Sequence, residues 1–232
     1  MSKYESTGPC IERKTMLYRL VIPLLAVLAS ACAAEDVVSL PPPEDDSGMT
    51  LEEAVERRRS VRSYSDDPVS LPQLSGILHS AQGITSERGY RAAPSAGATY
   101  PMTIYVVAER VDELAPGIYV YRPESSTLET LRTGAFLSDL AGAALGQSCI
   151  TDAALAVVIM ADYSVTTDVY GERGIRYVHM EAGHVSQNIY LRATSMGLGT
   201  VAVGAFSDNE TAALLGVEDN LAPMYIMPVG SR

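Results

Sequence analysis

The segment VERRRSVRSY, residues 55–64, places Arg57, Arg58, Arg59 and Arg62 within six residues of a chain whose formal net charge is −11. Ser60 sits among them. Guanidinium forks donate paired N–H bonds to oxyanions, and an interleaved hydroxyl adds a further donor, so the cluster suits a terminal phosphate. A plainer reading is a solvated helix end, because Glu53 and Arg57 stand four residues apart and cations favour a helix C-terminus. The break RSVRSY, with a hydroxyl and an apolar residue between arginines, favours the phosphate reading. Neither G-x-x-x-x-G-K-[ST] nor G-x-G-x-x-G between strand and helix is present, so no nucleotide fingerprint accompanies the cluster.

The elements that would position these residues follow from periodicity and punctuation. TLEEAVERRR reads as a helix with Thr50 and Glu53 as a capping box. SLPQLSGILHSAQG, residues 70–83, reads as a second helix capped by Ser70 and closed by Gly83. Residues 84–99 read as loop and 102–111 as a strand. GIYVY (117–121) and LETLR (128–132) read as a hairpin, with a short helix around 135–145. AALAVVIMAD, 153–162, is a continuous apolar run and so a buried central strand. Residues 171–199 hold the longest helix. Val178, Ala182, Val185, Ile189, Ala193 and Met196 form its apolar stripe. Tyr177, Glu181, His184 and Asn188 form a neighbouring polar stripe, read as a face at a subunit seam. Strands at 200–206 and 222–230 flank a helix at 207–217. The class is α+β.

The start of the chain has a different character. Residues 20–31, LVIPLLAVLASA, follow Arg13, Lys14 and Arg19 in the layout of a secretory signal. Residues 1–31 are read as that segment, with Met16 as an alternative start. LASAC reads as a lipobox with Cys32 lipidated, or as an ordinary Ala-x-Ala site; the first reading is taken, giving an exported, lipid-anchored envelope protein. Residues 32–48, acidic and proline-rich, are expected to be a disordered tether, and 49–232 a single domain. From Cys32 onward there are 13 arginines, no lysine and 26 acidic residues, a balance of −13. Nucleic acid is therefore a poor partner, and contact with a membrane is expected only through Cys32. There is no Cys/His metal spacing, and Cys149 reads as a small buried filler.

RRRSVRSY, APSAGATYPMTIYVV (93–107), GIYVYRPESSTLETL (117–131), residues 170–206 and the terminal PVG, in this order and spacing, resemble the nitroreductase-like flavoproteins, with the pattern of the SagB-type dehydrogenase branch. The resemblance spans residues 50–232. It implies a mostly antiparallel sheet flanked by helices, an intertwined homodimer and an FMN at its interface. By resemblance, Arg58, Arg59, Ser60 and Arg62 hold the FMN phosphate and ribityl chain, and Arg232 reaches the phosphate. Pro94, Ser95, Ala96 and Gly97 pack against the flavin ring from the partner subunit, while Val203 and Gly204 face its N5 edge. The implied reaction is ping-pong hydride transfer through N5 between a small-molecule donor and acceptor. It could run as nitro or quinone reduction, or as a SagB-like dehydrogenation. The branch commonly carries a Lys–Tyr pair where this chain has Val169–Tyr170. The lysine is absent and Tyr170 is left as a candidate general acid. Export would remove the protein from reduced nicotinamide, so either the reaction oxidises an extracytoplasmic substrate and passes electrons to oxygen or a quinone, or the signal reading does not hold. The alternative is a non-catalytic envelope protein that binds flavin with no open face above it.

Overall fold

A computed structural model of the chain describes residues 37–43, 48–217 and 220–232. Its centre is a seven-stranded sheet of order β1-β4-β3-β2-β5-β7-β6. The strands are β1 (Val37–Ser39), β2 (Met102–Ala108), β3 (Gly117–Arg122), β4 (Thr127–Thr133), β5 (Leu155–Asp162), β6 (Leu198–Thr200) and β7 (Leu221–Ser231). The strand pairs are antiparallel.

The period of two along a strand decides which helices cover which face. Ile104 and Val106 of β2, with Leu155, Val157 and Ile159 of β5, pack against α2 (Leu71–Gln82) and α6 (Arg173–Ser195). Tyr105 and Val107, with Ala156, Val158 and Met160, pack on the other face against α3 (Leu137–Ala143) and α4 (Ser148–Thr151). Leu215 of α7 (Asp208–Leu215) joins that second cluster. Covered on both sides, β5 buries a continuous apolar run, as its sequence indicated. Each fully buried Val or Ile contributes about 1.5–3 kcal/mol. α6 buries Val178, Ala182, Val185, Ile189 and Ala193, the expected stripe.

Helix starts also follow the sequence. α1 (Leu51–Arg57) begins on a capping box between Thr50 and Glu53, and α2 on one between Ser70 and Gln73. Two expectations are corrected, and one stretch the sequence left unassigned, residues 163–170, takes on structure. Residues 32–48 do not form a tether throughout: Val37–Ser39 pair with β4, Leu40 is buried, and Pro41 O accepts from Ser75 Oγ. The apolar run VVSL within that acidic, proline-rich stretch supplies the edge strand. The strand expected over 200–206 ends at Thr200, because Tyr190 Oη takes the Ala202 amide (2.7 Å). Residues 163–170 form a helix, α5 (Tyr163–Tyr170), started by Asp162, whose carboxylate accepts from Ser164 N at 2.9 Å. Cys32 and the signal segment lie outside the described residues.

Candidate functional site

The arginine segment begins where α1 stops. Arg58 turns extended (φ −55°, ψ 127°) and the chain runs beside β6, with Ser60 bridging Thr200 in parallel and Val61 N donating to Thr200 O (2.9 Å). Two glycines make the seat. Gly199 and Gly230 are cross-strand partners in β6 and β7. A Cβ on Gly199 would stand 2.6 Å from Val61 Cγ1, and one on Gly230 would stand 2.7 Å from Tyr64 Cγ. Tyr64 locks the segment by donating from Oη to Val61 O (2.9 Å), and burial pushes its phenol up.

The charges of this segment are largely free. Arg57 pairs with Glu53 at 3.2 Å on the surface, as the plain helix-end reading expected. Among the described residues Arg58, Arg59 and Arg62 have no carboxylate partner. Arg59 donates only to Glu56 O and Arg58 O (2.8 and 2.7 Å), and Arg58 lies over the Tyr190 ring at 5.0 Å. Ser60 Oγ lies 3.0 Å from Tyr190 Oη, which itself accepts from Ala202 N. When Tyr190 donates to Ser60, the serine proton is left free for a ligand. Beneath it, Thr200 Oγ1 is buried without a partner among the described residues. Val203 bonds both ways to Ile226 (2.9 and 3.0 Å), and Gly204 follows it exposed, with Tyr225 Cε1 3.8 Å from where a Cβ would be. Arg232 ends the chain, exposed, just past Ser231, whose carbonyl accepts from Ser65 N. Cys149 is buried, and burial pushes its thiol up, as a filler requires.

Pro94, Ser95, Ala96 and Gly97 stand elsewhere. Their loop carries positive φ at Gly97 (61°), Ala98 (54°) and Tyr100 (52°). Left-handed backbone at non-glycine residues is strained, and such strain clusters at ligand clamps. Tyr170 is brought to this loop: a Cβ on Gly97 would lie 2.6 Å from its hydroxyl, and its ring meets Tyr177 edge-on at 5.2 Å. The polar stripe of α6 is unevenly covered, with His184 exposed. Glu181 is 2% exposed, and Asn188 donates to Ser80 O (3.0 Å). Glu181 and Tyr190 are nine residues apart on α6, about 14 Å along the axis. One protomer therefore carries two separate clusters, arginines with 200–204 and loop 94–97 with Tyr170.

The nitroreductase family model matches residues 55–231. The chain belongs to the nitroreductase family. The protein MJ1384 of Methanocaldococcus jannaschii, a nitroreductase by name, is 48% identical over 188 residues, which are 81% of this chain and 94% of that protein. The trifolitoxin operon protein TfxC of Rhizobium leguminosarum is 25% identical over 205 residues, 82% of this chain and 57% of TfxC. A solved structure from Ralstonia eutropha, also a nitroreductase by name, superposes with a TM-score of 0.74 at 27% identity, covering 86% of this chain and 90% of its own. A chain of the E. coli microcin synthetase McbBCD complex shares the fold at TM-score 0.66 and 22% identity, covering 93% and 84%. As a nitroreductase-family member the chain is an oxidoreductase of the flavoprotein type.

Sequence reading missed Tyr190, the hinge between arginine segment and β6. Its signal was a hydroxyl-bearing aromatic on the buried flank of α6, beside the apolar stripe. It also missed Thr200 and the burial of Glu181, which depend on what packs over the helix.

Proposed function

We propose that the protein is an FMN-dependent oxidoreductase working as a homodimer. The observation that carries this reading is the set of three guanidinium groups that have no carboxylate partner among the described residues, beside the Ser60 hydroxyl and the buried Thr200 Oγ1, which has no hydrogen-bond partner there, in a chain of net charge −11. Unpaired buried polar atoms are costly, and a phosphate satisfies them together with the arginines. The residues present therefore fit the FMN phosphate: Arg58, Arg59, Ser60 and Arg62 would hold it, with Arg232 at the rim. FMN would supply a ring atom, N5, that takes up a hydride from one substrate and returns it to the next.

The protein's own contributions are binding, orientation and a proton. Val203 is fixed by its two bonds to Ile226, which would hold Gly204 as an exposed backbone edge for the ring. The loop Pro94–Gly97 and Tyr170 lie near the Glu181 end of α6, about 14 Å along the axis from Tyr190, and by the family resemblance the loop would complete the partner's site. Tyr170, beside Gly97, is the proton-bearing group at that face. The likeness to TfxC supports a SagB-like dehydrogenation as one form of the reaction. Val169 in place of the branch's lysine argues against azoline oxidation, which leaves nitro or quinone reduction as the other form.

The test is the visible spectrum of purified protein before and after heat release, together with light scattering. Released FMN that donors bleach in the protein, from a particle of twice the protomer mass, is expected. A colourless monomer that FMN cannot reconstitute would refute the reading.

A further inference from the structure

Glu181 lies beside a chain of side-chain contacts that the mechanism above does not use. It is 2% exposed and lies beside Ser95 and Gln82. Ser95 Oγ accepts from Tyr100 N (2.9 Å), tying the two ends of the strained turn. Tyr100 Oη accepts from Arg91 N (3.1 Å), and the Arg91 guanidinium stacks on the Tyr100 ring at 4.8 Å. Arg91 Nη1 donates to Gln82 Oε1 (3.0 Å), and Gln82 stands beside Glu181. Glu181, Ser95, Tyr100, Arg91 and Gln82 thus tie α6, the loop and α2 together.

Two atoms of this group are unmatched among the described residues. Glu181 Oε1 and Gln82 Nε2 are buried with no hydrogen-bond partner. The available counter-charge is spent: Arg91 Nη2 is paired with Glu124 at 3.1 Å and Nη1 is held by Gln82. Glu181 also borders a cavity of about 250 Å³ with Pro94, Ser95, Ala96, Tyr177 and His184. The ionisable groups facing Glu181 are therefore Arg91 from beyond α2, Tyr100 from the loop, and Tyr177 and His184 from its own helix. Burial pushes its carboxyl up to about 7, against the weaker pull of Ser95, Gln82 and Arg91.

We propose that Glu181 is a positioning residue that holds the Pro94–Gly97 loop through Ser95, and that loss of its proton releases the loop. The neutral acid carries one O–H and can stay buried against the Ser95 hydroxyl. The carboxylate must be solvated, and the shortest route for water is the adjoining cavity, whose wall is the loop itself. With the Ser95 clamp disturbed, the turn with positive φ at Ala98 and Tyr100 loses the Tyr100 N bond that closes it. The loop is where a flavin ring from the partner subunit would rest, so the switch would set ring contact as a function of pH. That consequence rests on the FMN reading; the loop movement does not.

The experiment is hydrogen exchange by mass spectrometry of the peptide spanning residues 94–100 in the full chain, without and with added FMN, from about pH 5.5 to about 8.5. Rates are corrected for the intrinsic pH dependence of amide exchange. Wild-type protection is expected to fall about tenfold per pH unit up to about pH 7 and to level off above it, because the closed loop holds the Glu181 proton up to about 7 while the opened, solvated carboxyl releases it near its ordinary 4.5. Glu181→Gln, which stays neutral, is expected to keep the loop protected at every pH. Ser95→Ala is expected to leave it unprotected throughout. A wild-type profile without the fall, or the same fall in Glu181→Gln, would overturn the proposal. A protein that binds no FMN yet shows the fall would refute the flavin reading and leave the switch standing.

Discussion

Gly199→Ala tests whether the glycine seat fixes the arginine segment. The added methyl would lie 2.6 Å from Val61 Cγ1 and 2.9 Å from its Cβ, where ordinary contact begins near 3.4 Å. Val61 must retreat by nearly an ångström. It cannot do so alone, because its N–H is bonded to Thr200 O and its carbonyl accepts from Tyr64 Oη. Overpacking of this kind costs about 1–3 kcal/mol of stability. The displaced segment carries Ser60 and its flanking arginines. Losing one charge-assisted bond to a phosphate, worth about 1.5–3 kcal/mol, weakens FMN binding by about 10- to 100-fold. Urea unfolding gives the first number and flavin fluorescence titration the second. Gly142→Ala is the control: it sits in α3 with open space at its Cβ and should be neutral or slightly stabilising, by up to about 1 kcal/mol. Gly199→Ala with wild-type urea midpoint and wild-type FMN affinity would refute the reasoning.

Two further outcomes are expected. Tyr190→Phe removes the oxygen that bridges Ser60 and the Ala202 amide, leaving that N–H unsatisfied; unfolding should be easier by about 1–3 kcal/mol in urea. Glu181 has its folded-state carboxyl raised from 4.5 to about 7, so the folded state binds the extra proton and wild-type stability falls as pH rises through that window. At about 1.4 kcal/mol per pH unit, the loss by pH 8 is about 3 kcal/mol. Glu181→Gln, which has no proton to lose, should melt about 6–12 °C above wild type at pH 8 and within a degree or two of it at pH 4.5. Equal melting at both pH values would show that Glu181 is not buried as an acid.

What the sequence made legible was local or periodic. The capping boxes at Thr50 and Ser70 involve residues three apart, and the stripe from Val178 to Ala193 repeats at helical spacing. β5 announces double-sided burial by its unbroken apolar run. The misses were decided by distant groups. Val37–Ser39 becomes a strand only because β4 offers a free edge. The strand breaks after Thr200 because a tyrosine from α6 takes the Ala202 amide, and only Val203 rejoins β7. YSVTTDVY is rich in β-branched and aromatic residues and shows no helical preference, yet Asp162 starts a helix there. The candidate site divides in the same way. The arginines stood out against an acidic background, but Tyr190 and Thr200, which make them a cradle, are separated from Ser60 by more than a hundred residues. Glu181 read as one member of a polar face, since burial by the loop and α2 leaves no mark on its own helix.

The central claim is that Arg58 and Arg62 are unpaired because they hold a phosphate. The most direct measurement is FMN content and dissociation constant for Arg58→Ala with Arg62→Ala, beside wild type and Arg57→Ala. Arg57 is already paired with Glu53, so its variant should bind as wild type. The double variant should lose two charge-assisted contacts, about 3–6 kcal/mol in total, and be purified without flavin. Full flavin occupancy in the double variant would contradict the account.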